Sequence, residues 1–302
     1  MFVKSLIFLV LIAAISAENR FSFIFYQEPT QTTEYTVENL HTILNHPSFG
    51  RLRNTVIFHY GADQTLATPQ VHDLVSAYAT NGQFNYIVIN YPNSGLISTG
   101  NAQSLADSIT TALTNLFENG YNSGYMNLLG FGMGAQILAR ASRLVQSRSN
   151  RRHVVARLTG LDPWNMGPIS SIQVGVLSST DAQWVESVHT EGNQRGDLES
   201  NGHVSFFVNG GIEQPMCNQA LPTARWDCSH IFALSVWAES VRARSTVFAS
   251  LSCGSWSEFL SGVCNNNAVA HMGRIGSQPT ARGPFFLLTN LQPPFSRNQA
   301  HP

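Results

Sequence analysis

Between an apolar run and a stretch of helical spacing lies Gly130-Phe131-Gly132-Met133-Gly134. In a G-x-S-x-G turn the central residue ends a strand and opens a helix. It is held in a strained backbone conformation, so that a serine hydroxyl there stands clear of the sheet as a nucleophile. Here the centre is Gly132, which has no hydroxyl and accepts that conformation without the penalty a Cβ adds. Ser142 does not stand in, because helical geometry puts it more than two turns away, ~13 Å along the axis; Ser123 also lies several residues from the turn. Lys4 is the only lysine, so Schiff-base and catalytic-lysine chemistry are excluded from the chain beyond it. His59, His189 and His203 read as framework or loop histidines.

The four cysteines, Cys217, Cys228, Cys253 and Cys264, fall into two neighbouring pairs with ten residues inside each. An even count in an exported chain implies disulfides, and of three possible pairings the local one, Cys217–Cys228 with Cys253–Cys264, is expected. Neither pair has the C-x-x-C spacing of a metal site, and no metal or cofactor is expected.

The elements that must position the turn alternate. Residues 54–59 and 86–90 are apolar runs of the kind that form buried parallel strands, and 126–129 and 154–161 continue the series. Thr68-Pro69 opens a helix to about Thr80, and helical spacing follows over 104–119 and 133–145. Such recurrence marks a doubly wound α/β sheet. Beyond Asp162, strands are expected at 184–189 and 204–207 and a helix at 230–242, with a loop-rich tail containing Pro293-Pro294.

Lys4, the apolar stretch 6–14 and Ser16-Ala17 read as a secretory signal cut after Ala17, too short for a membrane span. The expected domains are therefore a signal peptide over 1–17 and a single α/β unit over 18–302, with localisation outside the cell. With 43% hydrophobic and 12% charged residues the chain is not disordered, and its net charge of −1 does not steer it toward nucleic acid. Six arginines fall between Arg140 and Arg157; they suit a solvated edge or, alternatively, a patch for anionic lipid or a partner.

The turn is followed in fixed order by Gly160-Leu161-Asp162-Pro163, Val188-His189-Thr190, Asn209-Gly210-Gly211 with Pro215 and Cys217, and Cys228-Ser229-His230. This order resembles the animal lipase family of pancreatic lipase, phospholipase A1 and their insect yolk-protein relatives, over roughly residues 50–275. The resemblance implies an α/β-hydrolase fold: a mostly parallel central sheet with helices on both faces. Gly132 falls at the nucleophile position, Asp162 at the acid that orients the base, and His230 at the base. Met133 and the His59-Tyr60-Gly61 loop (Tyr60, Gly61) fall at the oxyanion hole. The segment between Cys217 and Cys228 falls at the lid; so short a loop leaves the cleft open, with Leu221 and Trp226 placed to touch lipid or, for Trp226, to pack under the disulfide. The chain has no room for the β-sandwich of pancreatic lipase, so colipase is not implied.

These readings lead to a secreted lipase-like protein that is not a working enzyme and keeps a groove for lipid or another hydrophobic ligand. The alternatives are an active carboxylic-ester hydrolase of phospholipase A1 or triacylglycerol lipase type, and a storage protein of the yolk kind.

Overall fold

The computed structural model describes residues 21–91, 101–165, 174–199, 201–218, 221–243, 248–273, 280–297 and 299–302. The expected signal segment lies outside them. Among the described residues eleven strands form one sheet: β1 (Ser22–Glu28), β2 (Gln31–Tyr35), β3 (Thr55–His59), β4 (Asn85–Asn90), β5 (Met126–Phe131), β6 (Arg157–Leu161), β7 (Trp184–His189), β8 (Val204–Val208), β9 (Phe248–Ser252), β10 (Val269–Met272) and β11 (Gly283–Leu287). Their spatial order is β10-β9-β11-β8-β7-β6-β5-β3-β4-β1-β2. From β4 to β11 all neighbours run parallel, and the outer strands β1, β2, β9 and β10 are antiparallel.

The helices are α1 (Pro69–Asn81), α2 (Ala102–Glu118), α3 (Met133–Arg148), α4 (Pro222–Arg242) and the short α5 (Trp256–Leu260). Leu105, Ile109 and Leu113 of α2 and Ile137, Leu138 and Val145 of α3 share one core with Ile57, Leu128 and Leu158 of the sheet. Val71, Leu74 and Tyr78 of α1 and Phe232, Val236 and Trp237 of α4 share the core with Phe58, Leu129 and Phe206. Central strands buried on both faces read as continuous apolar runs for this reason. Trp237 donates its indole N–H to the Tyr78 hydroxyl (3.0 Å), joining α1 to α4. The chain is thus a mostly parallel α/β-hydrolase-type sheet with helices on both faces.

Two expectations are corrected. The tail is not merely loops, since β9, β10 and β11 extend the sheet past β8. The helix expected to begin at His230 begins at Pro222, a residue preorganised for the first helical position. The Cys217–Cys228 disulfide closes the expected short loop, whose residues from 222 onward are helical. Both expected disulfides are present, Cys217–Cys228 and Cys253–Cys264, with Cα separations of 5.8 and 5.7 Å. Four of the six arginines of 140–157 face carboxylates: Arg143–Asp181 (2.8 Å), Arg148–Asp107 (3.1 Å), Arg152–Glu118 (2.9 Å) and the buried Arg157–Glu186 (2.6 Å).

A polar seam crosses the sheet beside the central strands. Ser187 Oγ lies 2.8 Å from Ser205 Oγ and 2.7 Å from His189 Nε2, and His189 Nδ1 lies 2.8 Å from the Asp197 carbonyl. A carbonyl only accepts, so Nδ1 carries the proton and Nε2 accepts from the serine. Burial holds the His189 imidazole below its ordinary range. Burial, followed by the negative charges of Asp162 and Glu199, pushes the Asp197 carboxyl up to about 7, against a backbone bond from Glu199 that lowers it.

Two measurements follow. A Cβ on Gly134 would stand 2.6 Å from both the Nδ1 and the carbonyl oxygen of His59. Gly134→Ala should therefore cost about 3 kcal/mol in urea unfolding, because the backbone of β3 cannot yield as a flexible side chain would. Asp197, with a folded pKa above its unfolded value, adds stability at low pH that is lost as pH rises through about 7. Asp197→Asn should show a shallower loss of stability between about pH 4 and pH 7 than the native chain. Parallel pH profiles for the two proteins would refute the assignment.

Candidate active site

The carboxyl ends of β3, β5, β6 and β7 lie side by side, with His59 level with Gly130, Phe131 with Leu161, and Leu161 with Val188. In open α/β sheets this edge is where ligands bind. Gly132 leaves β5 and opens α3 with φ +54° and ψ −122°. Its N–H donates to the Leu161 carbonyl (3.0 Å), and its own carbonyl accepts from Trp164 N (3.2 Å) and Ala135 N (3.2 Å). The flanking glycines are imposed by packing: a Cβ on Gly130 would meet the Ala135 backbone at 2.4 Å, just as one on Gly134 would strike His59.

A Cβ built on Gly132 would stand 3.0 Å from His230 Nε2, 3.3 Å from its Cε1 and 3.8 Å from Trp164 Cε3. Behind the imidazole, Nδ1 lies 2.5 Å from Asp162 Oδ2. Asp162 is fully buried, with φ +43° at the end of β6, and its other oxygen accepts the N–H groups of Thr190 (2.6 Å) and Glu191 (2.9 Å). The sequence places these residues far apart, and the fold aligns Asp162, His230 and position 132 in one row. The carboxylate fixes the imidazole with its Nδ1 proton inward, so Nε2 faces position 132, the geometry a general base requires.

His230 sits in the third turn of α4 and is 4% exposed. The Phe131 ring lies against its imidazole, with centroids 4.3 Å apart. Two residues earlier, Cys228 is tied to Cys217 in the 3-10 turn Pro215–Cys217, which anchors the helix beside the site. Within the segment the disulfide closes, Leu221 is 76% exposed and Trp226 is half-buried.

The residues expected at the oxyanion hole are arranged unevenly. Met133 is the first residue of α3, where helix N–H groups have no intrahelical acceptor. The Gly61 N–H instead donates to His59 Nδ1 (3.1 Å), whose Nε2 meets the Tyr91 hydroxyl (3.1 Å). Burial lowers the His59 pKa to about 3, so the ring is neutral and its Nδ1 accepts. The Tyr60 side chain is buried, its hydroxyl donating to Asn90 Oδ1 (3.1 Å) and accepting from Tyr91 N (2.9 Å).

His189 and His203 are framework: His189 lies in the seam, and His203 accepts from Val185 N (3.0 Å) and stacks on Trp184. Ser142 is buried and donates to the Asp181 carbonyl. Among the described residues, Cys253, Glu258 and Cys264 stand close enough to hold an ion, but both sulfurs are committed to a disulfide. Two residues that sequence reasoning missed stand at the mouth of the site. Trp164 follows Asp162-Pro163, and the Arg195 guanidinium lies 5.2 Å from the centre of its ring. The position of Trp164 in the turn was a usable signal; Arg195, inside a loop, carried none.

The chain is 26% identical over 225 residues to lipase member H-A of Xenopus laevis, covering 71% of this chain and 47% of that protein. It is 26% identical over 201 residues to phospholipase A1 member A of Rattus norvegicus, covering 64% and 42% respectively. Against pancreatic triacylglycerol lipase of Ictidomys tridecemlineatus the identity is 29% over 164 residues, 48% of this chain and 34% of that one. The chain spans about half the length, or less, of these relatives. A solved arylesterase structure overlaps 47% of this chain and 58% of its own at 13% identity and a TM-score of 0.31. The Lipase family model matches residues 13–295, nearly the whole sequence, and the chain belongs to that family.

Proposed function

We propose that this lipase-like protein is exported, does not hydrolyse esters, and uses the cleft at the carboxyl edge of its sheet to bind lipid or another hydrophobic ligand. One observation carries the reading: the imidazole of His230, backed by Asp162, points at a glycine. Acyl transfer through such a row needs an oxygen on the Cβ that Gly132 lacks, and removing the nucleophile of a serine triad costs on the order of 10⁶ in kcat. Two disulfides suit an oxidising compartment and support export. The names of the relatives support lipid as the ligand class.

The intact Asp162–His230 bond favours a second reading, slow hydrolysis by a water that His230 activates. That reading requires turnover by the native chain which His230→Gln abolishes.

The native protein is expected to show no turnover of p-nitrophenyl butyrate, no labelling by an organophosphonate, and co-purifying lipid in native mass spectrometry. Gly132→Ser should bring both labelling and slow hydrolysis. It should also lose about 1–2 kcal/mol of stability, since a side chain at φ +54° is strained and the His230 ring must give way by a few tenths of an ångström. A covalent acyl adduct on the native chain would refute the reading.

A further inference from the structure

Trp164 and Arg195 lie outside the row formed by Asp162, His230 and Gly132. The indole stands beside position 132, its Cε3 3.8 Å from the Cβ built there. It meets the His230 imidazole edge to face, with centroids 6.1 Å apart and planes at 85°. The segment carrying it is stitched to the loop after β7. Asn165 N donates to the Arg195 carbonyl (2.9 Å), Asp197 N donates to the Pro163 carbonyl (3.1 Å), and Trp164 forms a β-bridge with Gly196. That loop is braced from within, because the buried Glu191 carboxylate accepts from the N–H groups of Asn193 (2.9 Å), Gln194 (3.1 Å) and Arg195 (2.6 Å).

Arg195 closes the arrangement. Its guanidinium lies over the indole and bonds Asp63 (2.9 Å) in the loop after β3 and Asp227 (2.7 Å) in α4. One cation therefore ties together three of the segments that surround the cleft, with Trp164 beneath it. The three charged side chains are 33–60% exposed, so salt screens their contacts.

We infer that Trp164, held down by Arg195, limits the length of the acyl chain the cleft accepts. Trp164 is a specificity-determining residue and Arg195 a positioning residue that acts through it. The carbonyl carbon of an ester attacked from position 132 would sit one bond from an oxygen on that Cβ. The first methylenes of its acyl chain and the indole then compete for the space beside His230. A short acyl group fits; a long one enters only when the indole swings out, which breaks the cation–π contact and loosens both ion pairs. The inference rests on reading Gly132 as the nucleophile position, so its test has an arm that does not need turnover.

In the Gly132→Ser background, kcat/KM for p-nitrophenyl butyrate should exceed that for the palmitate ester about tenfold or more. Adding Trp164→Ala should raise the palmitate-to-butyrate ratio of kcat/KM about tenfold. Arg195→Ala, or high salt, should shift the palmitate-to-butyrate ratio the same way, and Arg195→Ala on top of Trp164→Ala should shift it no further. Trp164→Phe should fall between. Equal rates for the two esters in Gly132→Ser, or an unchanged palmitate-to-butyrate ratio with Trp164→Ala, would overturn the inference. In the second arm, the full chain without the serine binds a fluorescent hexadecanoyl fatty acid. Trp164→Ala, with its fold checked by circular dichroism, should bind about tenfold more tightly; equal binding overturns the inference. If Gly132→Ser is inert toward both esters, the nucleophile-position reading fails alone and the binding arm decides the role of Trp164.

Discussion

A carboxylate with no contact with water holds this structure together at its most crowded point. Asp162 ends β6, accepts two backbone N–H groups from the end of β7 and bonds the imidazole of α4. A Cβ on Gly196 would stand 2.7 Å from its Oδ2, so the loop after β7 is pressed against the same group. A buried charge persists only while its partners do, and removing one side of such a pair costs about 3–5 kcal/mol. Asp162 and His230 therefore have a structural reason to be present whatever the site does. A hydroxyl at position 132 has none, because its absence strands no buried group and relieves a strained backbone. Packing thus fixes Asp162 and His230 and places no such demand on a hydroxyl at position 132.

The same carboxylate sets the electrostatics of the loops around it. Burial raises the neighbouring Asp197 carboxyl and the Asp162 charge adds to it, and the buried Glu191 spends its oxygens on the N–H groups of its own loop. The cations nearby are arginines with assigned carboxylates: Arg195 faces Asp63 and Asp227, and Arg157 faces Glu186 inside the sheet. Along 140–157 the pairing with Asp107, Glu118, Asp181 and Glu186 makes that edge a row of ion pairs, which favours the solvated-edge reading over a patch awaiting an anionic surface.

The parallel centre of the sheet is legible in the sequence because Thr55–His59 and Asn85–Asn90 are buried almost throughout and so read as unbroken apolar runs. The outer strands carry weaker signals. In β1 only alternate residues, Phe23 and Phe25, are buried, and β2 is largely exposed, so these strands exist through pairing rather than composition. The strands β9 to β11 are short and interrupted by a disulfide loop, which disguises them as a coil. At the site, Gly132, Asp162 and His230 were legible because each sits in a local motif. Trp164 with Arg195 was not, since 31 positions separate them and only the docking of two loops brings them together.

Around His59, packing decides which groups face the carboxyl edge of the sheet. Gly134 lets the His59 ring lie against the start of α3, and burial keeps that ring neutral, leaving an acceptor nitrogen that takes the Gly61 N–H. The Gly61 N–H is thus turned inward by a contact the core requires. The missing hydroxyl, the turned donor and the indole beside position 132 arise from three different contacts. None is the consequence of another, so reversing one leaves the others in place.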